Sequence, residues 1–361
     1  MRGCLAAVIC AATSFVAGAA VSATWTRGDL PLEPAFAVSA HPTLPAIAFA
    51  ATSSGVYRTT DAGFHWQRVS DLSLMAFTFN PFRDVEVCAL VDGDRAPAGP
   101  AAGYCSGDLG LTWLPLPSAG INFLLFDRGV PDRMYSGVCY GNQWISVSND
   151  HGKTWKVNGY TAGNPNFHGW AAGDLGSAVY VTSWAHGGGP YFYWTQPVYR
   201  SRDSGNTWES LDGKPSRWIV AIDSSQRSTL YFAIDDPSRP PNSDREYTIR
   251  ASTDGGVTWE TRGQLQTSSS DLWSFAADPA NSAILYAGGD SGSMFQSLDG
   301  ARSWKRFDGD QIHEAPISNA TYEIDRINIL SVGIDGTVYA ATRNAVFATK
   351  SVARRHAVGR R

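Results

Sequence analysis

The stretch Ser252-Thr253-Asp254-Gly255-Gly256-Val257-Thr258-Trp259 decides the architecture, because this box of eight residues occurs, lightly edited, six times. The other copies are residues 59–66, 106–113, 148–155, 201–208 and 297–304. The form is Ser or Thr, any residue, Asp, any, Gly, any, Thr, Trp. His65 stands in the Thr position of the first copy and Ala301 in the Gly position of the sixth. An Asp carboxylate accepts nearby backbone N–H groups, and Gly takes positive φ without a Cβ clash. Each box therefore predicts a tight turn between antiparallel strands, with the Trp returned to the core. Burying that ring contributes about 4–6 kcal/mol of gross transfer energy. Ala resists positive φ, so Gly300 is expected to take that role in the sixth turn. Asp61, Asp108, Asp150, Asp203, Asp254 and Asp299 are read as fold elements, since a residue repeated in every unit is most simply structural.

The spacing of the boxes supplies the fold class. Trp25, Trp66, Trp113, Trp155, Trp208, Trp259 and Trp304 recur at intervals of 41 to 53 residues. Periods of about 40–50 residues with four short strands each predict an all-β propeller. Units are read at about 34–70, 74–117, 121–158, 167–211, 218–263 and 273–308. The sixth has strands at 274–277, 284–288, 294–297 and 304–307. A last unit, 327–350, has three strands and no Thr-Trp, while Thr24-Trp25-Thr26-Arg27 supplies one. The expectation is a seven-bladed ring of four-stranded blades, closed by the N-terminal strand, which removes open sheet edges.

Composition bounds the rest. In 361 residues the net charge is −4 and charged residues make up 17%, so no bulk attraction to nucleic acid is implied. Residues 1–23 read as a secretory signal, with Arg2, a small apolar run, and Val21-Ser22-Ala23 before the cut. Residues 24–350 then form one propeller, and 351–361 a basic tail carrying Arg354, Arg355, Arg360 and Arg361. The expected location is periplasmic or extracellular, with no transmembrane segment, cofactor or metal, and a monomeric state. Cys88, Cys105 and Cys139 remain after the signal, so at least one thiol is left over. Cys88 and Cys105 fall on strands that should pair. The alignment does not settle whether they share a face, so a disulfide and two thiols both stay open.

Loop length indicates the functional face. In a blade of strands A to D, the A–B and C–D turns share one face of the disk, and the B–C turns and D–A links share the other. The boxes are C–D turns. Expanded B–C connections occur at 92–103, 184–196 and 235–246, and long D–A links at 159–166 and 309–325. Function sits on elaborated loops carried by a rigid scaffold, so the binding surface is expected opposite the boxes, around blades four and five. Candidate ligand contacts are Trp184, His186, Tyr191, Tyr193 and Trp194 in the blade-four loop, with Trp170 nearby. Exposed rings suit sugar faces or a protein hot spot. The competing reading is that these rings fold on each other as a satellite core. Asp235 and Asp244 in the blade-five loop could serve glycoside hydrolysis if held ~5–10 Å apart; a solvated loop is the commoner reading.

The six boxes resemble the bacterial-neuraminidase repeat, or Asp-box, propellers. The stretches Gly55-Val56-Tyr57-Arg58-Thr59-Thr60-Asp61 and Leu285-Tyr286-Ala287-Gly288 are similar to the group that includes sortilin, xyloglucanases and photosystem II assembly factors. The resemblance implies the fold more than an activity, since such families include enzymes and pure binders. The Arg-Ile-Pro signature of sialidases is missing, and Arg326-Ile327-Asn328 lacks the proline. One ring of this size is most similar to the assembly-factor type. The function expected is an exported, non-enzymatic propeller that recognises a protein or glycan. The alternative is a secreted glycoside hydrolase acting on a polysaccharide.

Overall fold

A computed structural model describes residues 24–91, 101–117, 123–137, 144–160, 171–173, 178–181, 184–186, 193–195, 199–211, 218–223, 229–235, 244–267, 272–290, 292–307, 327, 329–342 and 345–350. It is all-β, with no helix among the described residues. The closing strand β1 is Thr26–Arg27. Blade one is β2 (Ala35–Ala40), β3 (Ala48–Thr52), β4 (Gly55–Thr59) and β5 (Gln67–Ser70). Blade two is β6 (Leu74–Phe79), β7 (Val87–Val91), β8 (Ala101–Ser106) and β9 (Leu114–Pro117). Blade three is β10 (Phe123–Phe126), β11 (Met134–Gly137), β12 (Trp144–Ser148) and β13 (Lys156–Tyr160). Blade four is β14 (Ala171–Gly173), β15 (Val179–Val181), β18 (Tyr199–Ser201) and β19 (Glu209–Ser210), with β16 (Trp184–His186) and β17 (Tyr193–Thr195) inserted as a separate hairpin. Blade five is β20 (Trp218–Asp223), β21 (Thr229–Asp235), β22 (Arg245–Ser252) and β23 (Glu260–Thr267). Blade six is β24 (Leu272–Asp278), β25 (Asn281–Gly289), β26 (Met294–Ser297) and β27 (Lys305–Arg306). Blade seven is β28 (Ile329–Val332), β29 (Thr337–Ala341) and β30 (Val346–Lys350), completed by β1.

The seventh blade thus takes its fourth strand from the other end of the chain, as expected. Thr26 pairs with Ala348 and Arg27 with Phe347. Thr349 Oγ1, at the place where the other blades carry the first hydroxyl of the box, donates to the Thr24 carbonyl at 2.7 Å. Trp25 is buried and stands edge-on to Phe307, with ring centroids 5.8 Å apart.

Seven buried clusters fill the seven seams between blades. Tyr339 with Trp66 spans blades seven and one, and Phe49 with Leu74 spans one and two. Leu90 with Met134 spans two and three, and Tyr135 with Val179 three and four. Tyr180 with Phe232, Tyr247 with Phe275, and Tyr286 with Val338 complete the circuit. Each B strand but one carries a buried aromatic at the same register: Phe49, Tyr135, Tyr180, Tyr231, Tyr286 and Tyr339. In blade two that place is held by Cys88. It lies directly opposite Cys105 and is joined to it by a disulfide, which resolves the sequence ambiguity. Cys139 lies outside the described residues.

All six boxes close by one hydrogen-bond scheme. In the second copy, Ser106 Oγ donates to Asp108 Oδ1 at 2.7 Å and accepts the Gly110 N–H at 2.7 Å. Asp108 Oδ1 also accepts the Thr112 N–H at 2.9 Å, and Oδ2 accepts the Thr112 hydroxyl at 2.6 Å. In the first copy His65 Nδ1 replaces that hydroxyl, 2.6 Å from Asp61 Oδ2. Two successive residues adopt positive φ in every box, for example Leu109 at 57° and Gly110 at 83°.

Two expectations need correction. Gly300 does turn with φ 72°, but Ala301 does so too, at 69°, and does not hand the role over. Its methyl group is fully buried in the blade five–six seam, and that packing offsets the backbone cost. The box tryptophans are also less buried than expected: Trp66 is buried, whereas Trp113, Trp155, Trp208, Trp259 and Trp304 are half-buried. Their turns precede the outermost strand, where part of each ring stays open to solvent. In boxes one to four the indole N–H folds back on its own turn, donating to the carbonyl of Gly63, Gly110, Gly152 or Gly205 at 3.0–3.1 Å. Half-burial lowers the gross gain to about 2–3 kcal/mol per ring.

Candidate binding face

The boxes lie on the same face as the A–B turns. In three blades a box N–H is tied to the carbonyl of its own A–B turn (Ala62 to Ala46, Leu109 to Val85, His151 to Asp132), and in blade six Gly300 is tied to Ala283 near the start of the B strand, at 2.8–3.0 Å. The B–C connections and D–A links therefore share the opposite face, and the hairpin β16–β17, inserted between β15 and β18, belongs to it.

The box face is engaged by contacts within and between blades. Arg58 Nη1 donates to the Leu109 carbonyl at 2.8 Å and Tyr180 hydroxyl to the Gly255 carbonyl at 3.2 Å, each reaching from one blade to the next box. Arg133 Nη1 reaches Ser204 Oγ at 2.5 Å. At the seam of blades two and three the contact is ionic. Buried Glu86 takes Asn80 Nδ2 at 2.7 Å, Arg83 Nη1 at 3.3 Å and His151 Nε2, and Asp132 takes Arg83 Nη2 at 2.7 Å. His41 in the A–B turn of blade one is fully buried. Its Nε2 lies 2.7 Å from the Asp84 carbonyl, and its Nδ1 accepts the Leu44 N–H at 2.9 Å. Burial pushes the His41 pKa below the ordinary 6.5, outweighing the pull of Asp84. The face also leaves Phe64, Leu111, Val257 and Leu298 exposed, one apiece in four boxes.

The box carboxylates are held strongly ionised. Burial acts to raise Asp108, but the Thr112 hydroxyl and N–H, with Ser106, outweigh it and lower the pKa to about 2. Thr154 and Ser148 likewise lower Asp150 to about 2. Asp61, Asp203, Asp254 and Asp299 move the same way through equivalent donors. An acceptor so saturated by local donors has turn-closing chemistry, in keeping with a structural role.

On the opposite face, the blade-four insertion is a two-stranded hairpin. Trp184 is in register with Thr195, Ala185 with Trp194, and His186 with Tyr193. Trp170 and Tyr191 lie outside the described residues. In blade five the strands run further than expected. Asp235 ends β21 in register with Tyr247, whereas Arg245 and Glu246 belong to β22 and pair with Thr267 and Gln266. Asp244, exposed, immediately precedes β22. In blade two β8 begins at Ala101, earlier than the expected end of that loop.

Sequence reasoning missed one arrangement. Gln264 Nε2 donates to Glu246 Oε1 at 2.7 Å, and Gln266 Nε2 to Glu246 Oε2 at 3.2 Å. The alternation Gln264-Leu265-Gln266, with Leu265 buried and both glutamines exposed, carries the signal in the sequence. Among the described residues no cluster of His, Cys, Asp and Glu has metal-binding geometry, and no helix is long and apolar enough to cross a membrane.

No family model matches the chain. A xyloglucanase from Paenibacillus sp is 26% identical over an alignment of 225 residues that covers 58% of this chain and 18% of that protein. The chain thus matches less than a fifth of the length of that curated relative. The GH74 xyloglucanase of Xanthomonas campestris superposes with a TM-score of 0.66 at 18% identity, covering 91% of this chain and 54% of the other. YCF48 from Cyanidioschyzon merolae gives 0.63 at 12% identity, covering 91% and 99%. A structure of YCF48 bound to D1 peptide gives 0.62 at 11% identity, covering 91% and 95%. These likenesses establish the propeller fold.

Proposed function

We propose that this chain is an exported, non-enzymatic propeller of the Asp-box type that binds a protein or glycan through the face opposite the boxes, around blades four and five. The observation that carries this reading is the division of labour between the faces. The boxes are taken up by their own turns and the neighbouring blades, while the extra hairpin and the long blade-five strands rise on the other side. Export rests on residues 1–23 read as a signal, and the Cys88–Cys105 disulfide suits an oxidising compartment. The similarity to a xyloglucanase favours a second reading, a glycoside hydrolase using carboxylates such as Asp235 and Asp244.

The test is retention of the purified protein on a panel of polysaccharides and immobilised peptides, with new reducing ends recorded. Asp244→Arg on the proposed face is expected to weaken retention, and Val257→Arg on the box face to leave it unchanged. Loss with Val257→Arg alone would overturn the choice of face. Reducing ends that vanish in Asp235→Asn/Asp244→Asn would replace the binding reading with the hydrolase.

A further inference from the structure

The two sides of blade five are distinct. Tyr247, Ile249 and Ala251 of β22 pack with Leu272 and Phe275 of blade six. Leu230 and Phe232 of β21 pack instead with Tyr180 of blade four. Arg250 pairs with Phe232 and Thr248 with Ile234 across the sheet, so Glu246, Thr248 and Arg250 share the side turned toward blade four. Gln264 and Gln266, in register with Thr248 and Glu246, join them there. Asp235 pairs with Tyr247, and Glu246 with Gln266 is the next step along β22 and β23, on the lip of the sheet away from the box.

On this lip a carboxylate takes one amide on each oxygen. A Gln side chain has two N–H donors and a carbonyl acceptor. With one N–H of each committed to Glu246, the two amides are fixed in orientation. Each still has a carbonyl oxygen and a second N–H to offer a ligand. Repeated donor–acceptor pairs at strand spacing, oriented in advance on a half-exposed wall, match the alternating hydroxyls of a neutral sugar chain. They offer little to an apolar segment, which would leave those polar groups unpaired.

We propose that Gln264 and Gln266, positioned by Glu246, form a hydrogen-bonding subsite for a neutral polyhydroxylated ligand on the blade-four side of blade five. This rests on the binding-face reading and deepens it by committing to glycan over protein. Gln264 and Gln266 contact the ligand directly; Glu246 is a positioning residue.

The experiment is affinity electrophoresis of the full chain through gels containing neutral polysaccharides, for the parent, Gln264→Ala/Gln266→Ala and Glu246→Ala. The double variant is expected to lose at least tenfold in affinity with its thermal midpoint unchanged, as both side chains are exposed. Glu246→Ala is expected to weaken binding less than the double variant, since its amides remain but are no longer held. Retention of the parent with equal affinity in the double variant would overturn the subsite and leave the binding-face reading intact. Parent protein retarded by none of the neutral polymers would also overturn it, and the face reading would then rest on the peptide arm of its own test.

Discussion

Replacing Gly110 by Ala tests the central packing claim, that the box glycines are needed because the turn presses on the preceding blade. Gly110 has φ +83°, and an added Cβ would stand 2.6 Å from Cε1 of Phe49. Ordinary contact begins at 3.4 Å, so the ring would have to yield by 0.8 Å. Phe49 is fully buried among Phe77, Phe79 and Leu74, so it has no free volume to enter. The left-handed backbone costs a non-glycine residue about 1 kcal/mol, and overpacking adds about 1–3 kcal/mol. The expected loss is about 2–4 kcal/mol. Gly300→Ala supplies the control: φ is +72°, but the nearest atom is the flexible end of Arg302, at 3.5 Å. It should cost only the backbone part, about 1 kcal/mol. The assay is equilibrium urea denaturation, with the slope checked for constancy so that midpoints report stability. Equal losses at the two positions would refute the argument, since the backbone alone would then explain both.

Three further outcomes are expected. Removing the Cys88–Cys105 cross-link, by Cys88→Ala/Cys105→Ala, should cost about 3 kcal/mol in urea on the loop-entropy relation for a separation of 17 residues; a loss below about 1 kcal/mol would show the unfolded chain gains little from its removal. Box carboxylates have folded pKa values below the ordinary 3.8, so their contribution is fully present above about pH 4 and fades as pH falls toward about 2. Asp108→Asn should therefore flatten the stability curve in that window, and an unchanged slope by circular dichroism would contradict it. His41 has a folded pKa below 6.5, so the unfolded chain binds the extra proton and stability declines as pH drops below 6.5. His41→Leu should be less stable at pH 8 but lose less between pH 7 and 5.5, and a parallel decline would remove His41 from the account.

The fold was legible because its unit is local. Ser, Asp, Gly and Thr within eight residues make all the bonds that close a turn, so the motif Ser106 to Trp113 carries its own geometry. Strand limits were legible too, as at β26, whose expected bounds 294–297 end where the box begins its turn. The depth of the tryptophans was not, because it depends on how far the neighbouring blade covers each ring: Trp66 against Tyr339 is buried, whereas Trp304 against Phe275 is half-buried. Nor was the methyl group of Ala301, whose support comes from another blade. The disulfide needed the register of β7 on β8, which a bulge or a slipped loop would have changed. At the candidate face, Glu246 was read as part of a loop because it lies among charges and prolines. Its partners on β23 are 18 and 20 residues away, and no local pattern connects them.

The closing bond between Thr349 and Thr24 spans 325 residues of chain. For an open chain, bringing such ends together costs about 5 kcal/mol by the logarithmic loop relation. Partial assembly lowers that figure, since blades already stacked hold the ends near each other. During synthesis, however, Trp25 leaves the ribosome 282 residues ahead of Phe307, which with Ile327 forms its seat. Until then β1 has no strand to pair with, blade one's face toward blade seven is bare, and Trp25 presents an uncovered indole. The chain's most vulnerable interval is therefore set by translation time, and at about 5–20 residues per second it lasts tens of seconds.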